Sequence, residues 1–192
     1  KHKKYFEPML AGFTHVPFNN FIAAESAVTP RTVAIMLELV QGEGGIHVAD
    51  KEYVRSLRKL CDERNLLLVF DEISSGMGRT GTLFTYQQYG VKPDILLLAK
   101  PAAGGLPMGV LIAKREIADT WERSTHATTF GGNPLVTAAG QCSSPRESTR
   151  ATGSWRERPT ASASGIFPCW ASARTRCTPS GSRSFRTRLQ KR

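Results

Sequence analysis

The sequence contains no apolar run long enough to cross a bilayer. Its longest, Leu66–Phe70 and Ile95–Ala99, fall far short of the ~20 residues that a spanning helix needs, so no membrane span is expected. The four cysteines, Cys61, Cys142, Cys169 and Cys177, form no C-x-x-C pair and have no matching histidine spacing, which argues against both a zinc site and a disulfide framework. The opening stretch KHKKYFEPML is basic but leads into no apolar segment with a small-residue cleavage site. A secretory signal is therefore not expected, and a cytoplasmic setting is. The phosphate-loop pattern G-x-x-x-x-G-K-[ST] is also missing. Although LLLVFDE (66–72) has the apolar-run-then-acid form of a nucleotide-hydrolase strand, the chain lacks the loop that would cradle the phosphates, which argues against an ATPase.

What remains is a chain of 192 residues, long enough for one domain with a substantial core. Its formal charge of +10 invites a nucleic-acid reading until the charge is located. Residues 1–140 hold 15 Lys and Arg against 14 Asp and Glu, whereas residues 141–192 hold 11 against 2. The basicity therefore belongs to the tail. That tail has ten Ser, ten Arg, six Thr and four Pro but one Lys, with no sustained apolar period of 2 or 3.6, so it is expected to be disordered or poorly packed. Such a composition arises when a GC-rich gene is read in a shifted frame, and this origin is preferred here over a functional basic arm. A nucleic-acid-binding protein using the tail is the runner-up reading; it would reveal itself through steep salt dependence. The tail lacks regularly interleaved aromatics for base stacking, and nucleic acid is not the expected partner.

Up to Gly140 the pattern is that of an α/β domain. Strands are predicted at Val33–Leu39, Leu66–Glu72, Asp94–Ala99 and Met108–Ala113. Helices are predicted at Asp50–Asn65, with Asp50 as N-cap, at Leu83–Tyr89 and at Glu116–Trp121. Strands alternating with helices imply a largely parallel sheet, in which function gathers at the carboxyl ends of the strands.

Two of those ends carry chemistry. Asp71 closes the apolar run LLLVF, and Lys100 closes ILLLA directly before a glycine-containing loop. Each has an ordinary reading by itself: a strand-end lysine is usually solvated, and a strand-end aspartate often caps the next helix. In a parallel crossover, however, both ends lie on one edge of the sheet, so Asp71 and Lys100 are placed to face one ligand.

The stretches VAIMLELVQGEGG (33–45), LLLVFDEISSGMGRTG (66–81), DILLLAKPAAGGLPMG (94–109) and HATTFGGNP (126–134) occur in an order and spacing that resemble the class III pyridoxal-phosphate (PLP) aminotransferases. The resemblance is strongest to the acetylornithine/ornithine group. It implies an α/β fold: the large domain of the fold-type I PLP-transferases, a mostly parallel sheet with flanking helices, of which residues 1–140 would be the central part. It implies an enzyme that moves an amino group from an ornithine-type ω-amine such as N-acetylornithine to the 2-oxo acid 2-oxoglutarate, in arginine and amino-acid metabolism, as a homodimer. PLP acts as an electron sink only while its ring nitrogen is protonated, and Asp71 matches the carboxylate that keeps the proton there. Lys100 matches the amine that condenses with the cofactor aldehyde and later carries a proton to and from the substrate carbon, and desolvation at the strand end is expected to favour its neutral form. Thr129 matches a threonine that reaches the cofactor phosphate of the neighbouring subunit. Glu43 matches a carboxylate that pairs with a substrate-binding arginine. Arg79 is expected to order its loop.

The sequence also departs from that family. Ser74 stands at a cofactor-binding position where relatives usually carry a glutamine that contacts the cofactor's phenolic oxygen. Pro101 replaces the usual Gly or Ala after the lysine and is expected to bias Lys100 toward extended backbone. Upstream of residue 33 there is no match to the family's phosphate cradle or ring-stacking aromatic, and the Ser/Arg tail stands where the small domain would follow. The chain is therefore expected to be weakly active, or an inactive truncated product, with sheet edges open to aggregation.

Overall fold

In the computed structural model, which describes residues 5, 7–122 and 125–143, the elements in chain order are α1 (Phe21–Ser26), β1 (Ala34–Leu37), β2 (Val40–Gln41), β3 (His47–Val48), α2 (Lys51–Arg64), β4 (Leu67–Asp71), β5 (Ile95–Leu98), β6 (Val110–Ala113), α3 (Arg115–Ala118) and α4 (Pro134–Ser143). The expected Ser/Arg tail lies outside the described residues from position 144 onward. Among the described residues no helix is long and apolar enough to cross a membrane.

Four strands form one sheet in the order β1-β4-β5-β6. The pairs β1–β4 and β4–β5 are parallel, and β6 runs antiparallel to β5. The two central strands are the apolar runs singled out in the sequence; Leu68, Phe70, Leu96 and Leu98 are all in the core. Helix α2 covers the sheet because Tyr53, Val54, Leu57, Leu60 and Cys61 recur at helical spacing and form one buried stripe. Burial pushes the Cys61 thiol up to about 11, so it packs as a small apolar group rather than a nucleophile. Asn65 ends the helix in the left-handed conformation, φ 54° and ψ 46°, which asparagine tolerates better than most residues.

Several expectations need correcting in detail. Asp50 occupies the N-cap position of α2 but makes no side-chain cap bond; instead its N–H donates to Asn19 Oδ1 at 3.0 Å. The helix expected at 83–89 is a short 3-10 turn at Thr85–Gln88, and the one expected at 116–121 is the single turn of α3. The strand expected at 33–39 is confined to Ala34–Leu37, because the chain next folds into the β2–β3 hairpin.

A buried carboxylate joins the layers. Asp94 Oδ2 accepts hydrogen bonds from the Leu68 N–H at 2.7 Å and from Arg58 Nη1 at 2.8 Å, and Lys114 Nζ pairs with Oδ1. Burial opposes ionisation of Asp94, but Lys114, the Leu68 amide and Arg58 together outweigh it and hold the carboxyl below its ordinary value of 3.8. One side chain thereby links α2, β4 and the residue after β6. Asp94→Ala should lower stability by about 3 kcal/mol in denaturant titration at neutral pH, because it removes the acceptor of the Leu68 amide, the counter-charge of Lys114 and one of the two carboxylates on Arg58, which keeps Asp62 at 2.8 Å. Since the folded carboxyl titrates below the unfolded one, the stabilisation is fully present above pH 3.8 and is lost as pH falls through the lowered folded value. The gap between the native chain and the variant should close over that acid window.

Candidate active site

Strand alternation separates two neighbouring carboxylates at the end of β4. Glu72 is 1% exposed, and its carboxylate accepts the N–H groups of Thr85 and Tyr86, both at 2.7 Å. Burial pushes its pKa up, while those amides and the Thr85 side chain pull the other way. Thr85 Oγ1 also donates to the Ser75 carbonyl at 2.9 Å. Glu72 therefore fastens the loop after β4 to the Thr85–Gln88 turn. Asp71 is only half-buried. Its Oδ1 accepts the Ile73 N–H at 3.0 Å, and among the described residues Oδ2 has no hydrogen-bond donor, which leaves an acceptor free at the carboxyl edge of the sheet.

Parallel pairing brings Lys100 to the same edge. Asp71 pairs with Leu97 across the β4–β5 ladder, and the Glu72 N–H donates to the Leu97 carbonyl at 2.9 Å. Lys100 follows β5 after the single residue Ala99, as the first residue of a 3-10 turn, Lys100–Ala103. Two expectations fail here. Lys100 is not extended but has φ +45°, a left-handed backbone uncommon for a lysine. Its side chain is also exposed, so the described residues do not supply the desolvation expected of a strand end. Nζ donates instead to Ser74 Oγ at 2.6 Å. The contact between Ser74 and Lys100 could not be read from spacing, because it depends on the turn after β4 doubling back toward β5.

Glycines allow that approach. A Cβ on Gly76 would lie 2.9 Å from both the Glu72 carbonyl oxygen and Leu98 Cδ2, and one on Gly42 would lie 3.4 Å from Ser74 Cβ. The Q-G-E-G-G hairpin after β1 therefore rests against the turn after β4. Arg79 Nη1 donates to the Ser74 carbonyl at 3.4 Å, a loop-ordering contact. Glu43, in the same hairpin, is exposed.

Helix α4, absent from the sequence expectations, backs the turn that carries Lys100. A Cβ on Gly140 would come 3.1 Å from Met108 Sδ and 3.5 Å from the Ala102 carbonyl oxygen. Its start was signalled by the pair Asn133–Pro134: Asn133 Oδ1 accepts the Val136 N–H at 3.0 Å, and proline suits the first helical position. Thr129 lies in the exposed turn just before it. Among the described residues Thr129 has no hydrogen bond to Asp71, Ser74, Lys100 or Glu43. A depression of about 420 Å³ is lined by Thr120, Trp121, Thr125 and His126 and by none of the five candidate residues.

The family model for "Aminotransferase class-III" matches residues 1–143. The chain belongs to the class-III aminotransferase family. This is a family of PLP-dependent enzymes. An acetylornithine aminotransferase of Methanocaldococcus jannaschii is 53% identical over 139 residues, which are 72% of this chain and 35% of the relative. The succinylornithine transaminase/acetylornithine aminotransferase of Pseudomonas aeruginosa is 50% identical over 141 residues, 73% of this chain and 35% of the relative. Among solved structures, the N-acetylornithine aminotransferase of Stenotrophomonas maltophilia matches with a TM-score of 0.61 at 39% identity, covering 70% of this chain and 35% of that one. The Toxoplasma gondii ornithine aminotransferase, described with partial occupancy of PLP at its active site, gives 0.69 at 36% identity, covering 72% of this chain and 33% of that one. The chain thus spans 35% of the length of these curated class-III relatives, and its expected α/β, mostly parallel fold is the one found in the aminotransferase structures.

The glycine at position 76 is the most exacting requirement of this arrangement. Gly76→Ala should cost about 2 kcal/mol by overpacking against the Glu72 carbonyl and Leu98. Gly78→Ala is a poor control because φ there is +92°; Gly109→Ala, with open space around its Cβ, should change the denaturant midpoint little by comparison.

Proposed function

We propose that this chain carries the cofactor-attaching part of a PLP-dependent transaminase. In this reading the amino donor is an ornithine-type ω-amine such as N-acetylornithine, the acceptor is 2-oxoglutarate and the setting is cytoplasmic. Residues 1–140 act as the central part of the large domain, α4 carrying it on to Ser143, and the Ser/Arg-rich composition that follows is read as a shifted-frame tail. The observation that carries the reading is the parallel β4–β5 register, which brings the ends of the strands bearing Asp71 and Lys100 to one edge.

The residues present fit that cofactor. Asp71 offers a carboxylate oxygen without a donor, suited to a protonated ring nitrogen, and Lys100 offers an exposed primary amine beside it in the fold. Bound PLP supplies an electron sink that stabilises negative charge developing on the substrate carbon. Asp71 holds a proton on the ring nitrogen by accepting its hydrogen bond, and a carboxylate acceptor makes that bond charge-assisted. The Lys100 Nζ, once released from covalent attachment, takes a proton from the carbon that bears the substrate amine and returns it. Thr129 serves the cofactor phosphate across a homodimer interface. Glu43 pairs with a substrate-binding arginine, which suits its exposure on the hairpin after β1.

The test is incubation of the chain with PLP followed by borohydride reduction and peptide mapping. The reduced adduct should sit on Lys100 and vanish in Lys100→Ala. Labelling spread evenly over Lys51, Lys59, Lys92 and Lys114 would defeat the assignment. Asp71→Asn should retain the Lys100 adduct while lowering any transamination of N-acetylornithine that the native chain shows on the order of a hundredfold; a measurable native rate left unchanged would remove Asp71 from the mechanism.

A further inference from the structure

The contact between Lys100 and Ser74 rests on more than one observation. Lys100 Nζ donates to Ser74 Oγ at 2.6 Å, the short end of the hydrogen-bond range. Lysine has many rotamers and loses considerable side-chain entropy when held in one, so an exposed lysine is ordinarily free to sample solvent. Here the backbone aims it, because φ +45° at Lys100 turns the residue out of the extended course of β5. Ser74 has neighbours on two sides: its carbonyl accepts from Arg79 Nη1 at 3.4 Å, and an added Cβ on Gly42 would be in ordinary van der Waals contact with its Oγ at 3.6 Å. The loops after β1 and β4 thus flank the acceptor, and the turn after β5 carries the donor.

Building on the cofactor reading above, we infer that Ser74 is the holding partner of the Lys100 amine: its hydroxyl keeps Nζ at the carboxyl edge of the sheet whenever Lys100 carries no covalent attachment. This is a different task from the cofactor contact that its sequence position suggested. Ser74 acts through Lys100, so in this reading it is a positioning residue. A serine hydroxyl suits the task because it accepts from an ammonium and donates to a neutral amine, following Lys100 through both protonation states.

Two reagents of different size separate holding from general damage. In the cofactor reading PLP is itself oriented by the site, so its capture gains from an amine held in place, whereas acetic anhydride has no such contact and meets only an amine whose lone pair is engaged by the Ser74 hydroxyl. In the full 192-residue chain, Ser74→Ala should therefore slow borohydride-trapped PLP labelling of Lys100 roughly fivefold relative to Lys51 and Lys92, the factor expected of one hydrogen bond. The same variant, without PLP, should speed trace acetylation of Lys100 severalfold relative to those two lysines. Ser74→Thr, which keeps the hydroxyl, should return both ratios to within about twofold of the native chain. Lys51 and Lys92 are already exposed, so general damage is read from the denaturant midpoint instead: a Lys100 change that comes with a large loss of midpoint in Ser74→Ala would overturn the inference. So would unchanged Lys100 ratios in Ser74→Ala, or Ser74→Thr behaving like Ser74→Ala, which would assign the effect to loop packing. If PLP fails to label Lys100 in the native chain, the cofactor reading falls, while the acetylation ratio still decides whether Ser74 holds the amine.

Discussion

The candidate site depends on the parallel pairing of β4 with β5. The register Val69↔Ile95, Phe70↔Leu96, Asp71↔Leu97 does two things together. It buries Leu68, Phe70, Leu96 and Leu98 in one core, and it ends both strands at the same edge. The two are coupled because side chains alternate along a strand: a slip of one residue would send the core set outward and carry the site residues to the wrong face. The apolar content of ILLL and LLVF thus fixes the position of the polar residues that follow them. Asp94 reinforces the pairing from the other end of β5, where it binds the Leu68 amide of β4 and two cations.

The same alternation explains how adjacent acids take different tasks. Glu72 turns inward and spends both oxygens on backbone amides, which fastens the loop after β4. Asp71 accepts one loop amide through Oδ1, and among the described residues its Oδ2 has no donor. A buried carboxylate that satisfies loop amides is expensive to desolvate but rigidifies what it binds, and here the bound amides are those of Thr85 and Tyr86, with Thr85 Oγ1 donating on to the carbonyl of Ser75, next to Ser74. Structure and chemistry are therefore layered outward from the sheet: Glu72 sets the turn, the turn sets Ser74, and Ser74 meets Lys100.

Much of this was legible beforehand where one signal dominated. Long apolar runs located β4 and β5, and the stripe of α2 followed from its 3.6-residue period. Four motifs in one order pointed to the class-III family. What escaped was set by tertiary contacts or by short elements. Pro101 argued for an extended Lys100, yet the 3-10 turn and the backing of α4 through Gly140 place it at positive φ. The helices expected at 83–89 and 116–121 are present only as the short turns Thr85–Gln88 and Arg115–Ala118, too short for a periodic signal to bound, and the six-residue α1, capped by Asn20 accepting from the Ala23 N–H, is shorter than any pattern window. The Asn133–Pro134 signature of α4 was available but lay inside a motif read for its chemistry.

The central claim is that the β4 and β5 ends act on one molecule, with Asp71 at the ring nitrogen and Lys100 at the aldehyde of PLP. The most direct measurement is the nitrogen-15 chemical shift of ring-labelled PLP bound to the chain. The account predicts the shift of a protonated pyridine nitrogen in the native chain, and in Asp71→Asn a move toward the neutral value with the Lys100 adduct still formed. A bound cofactor whose ring-nitrogen shift is the same in both chains would contradict it.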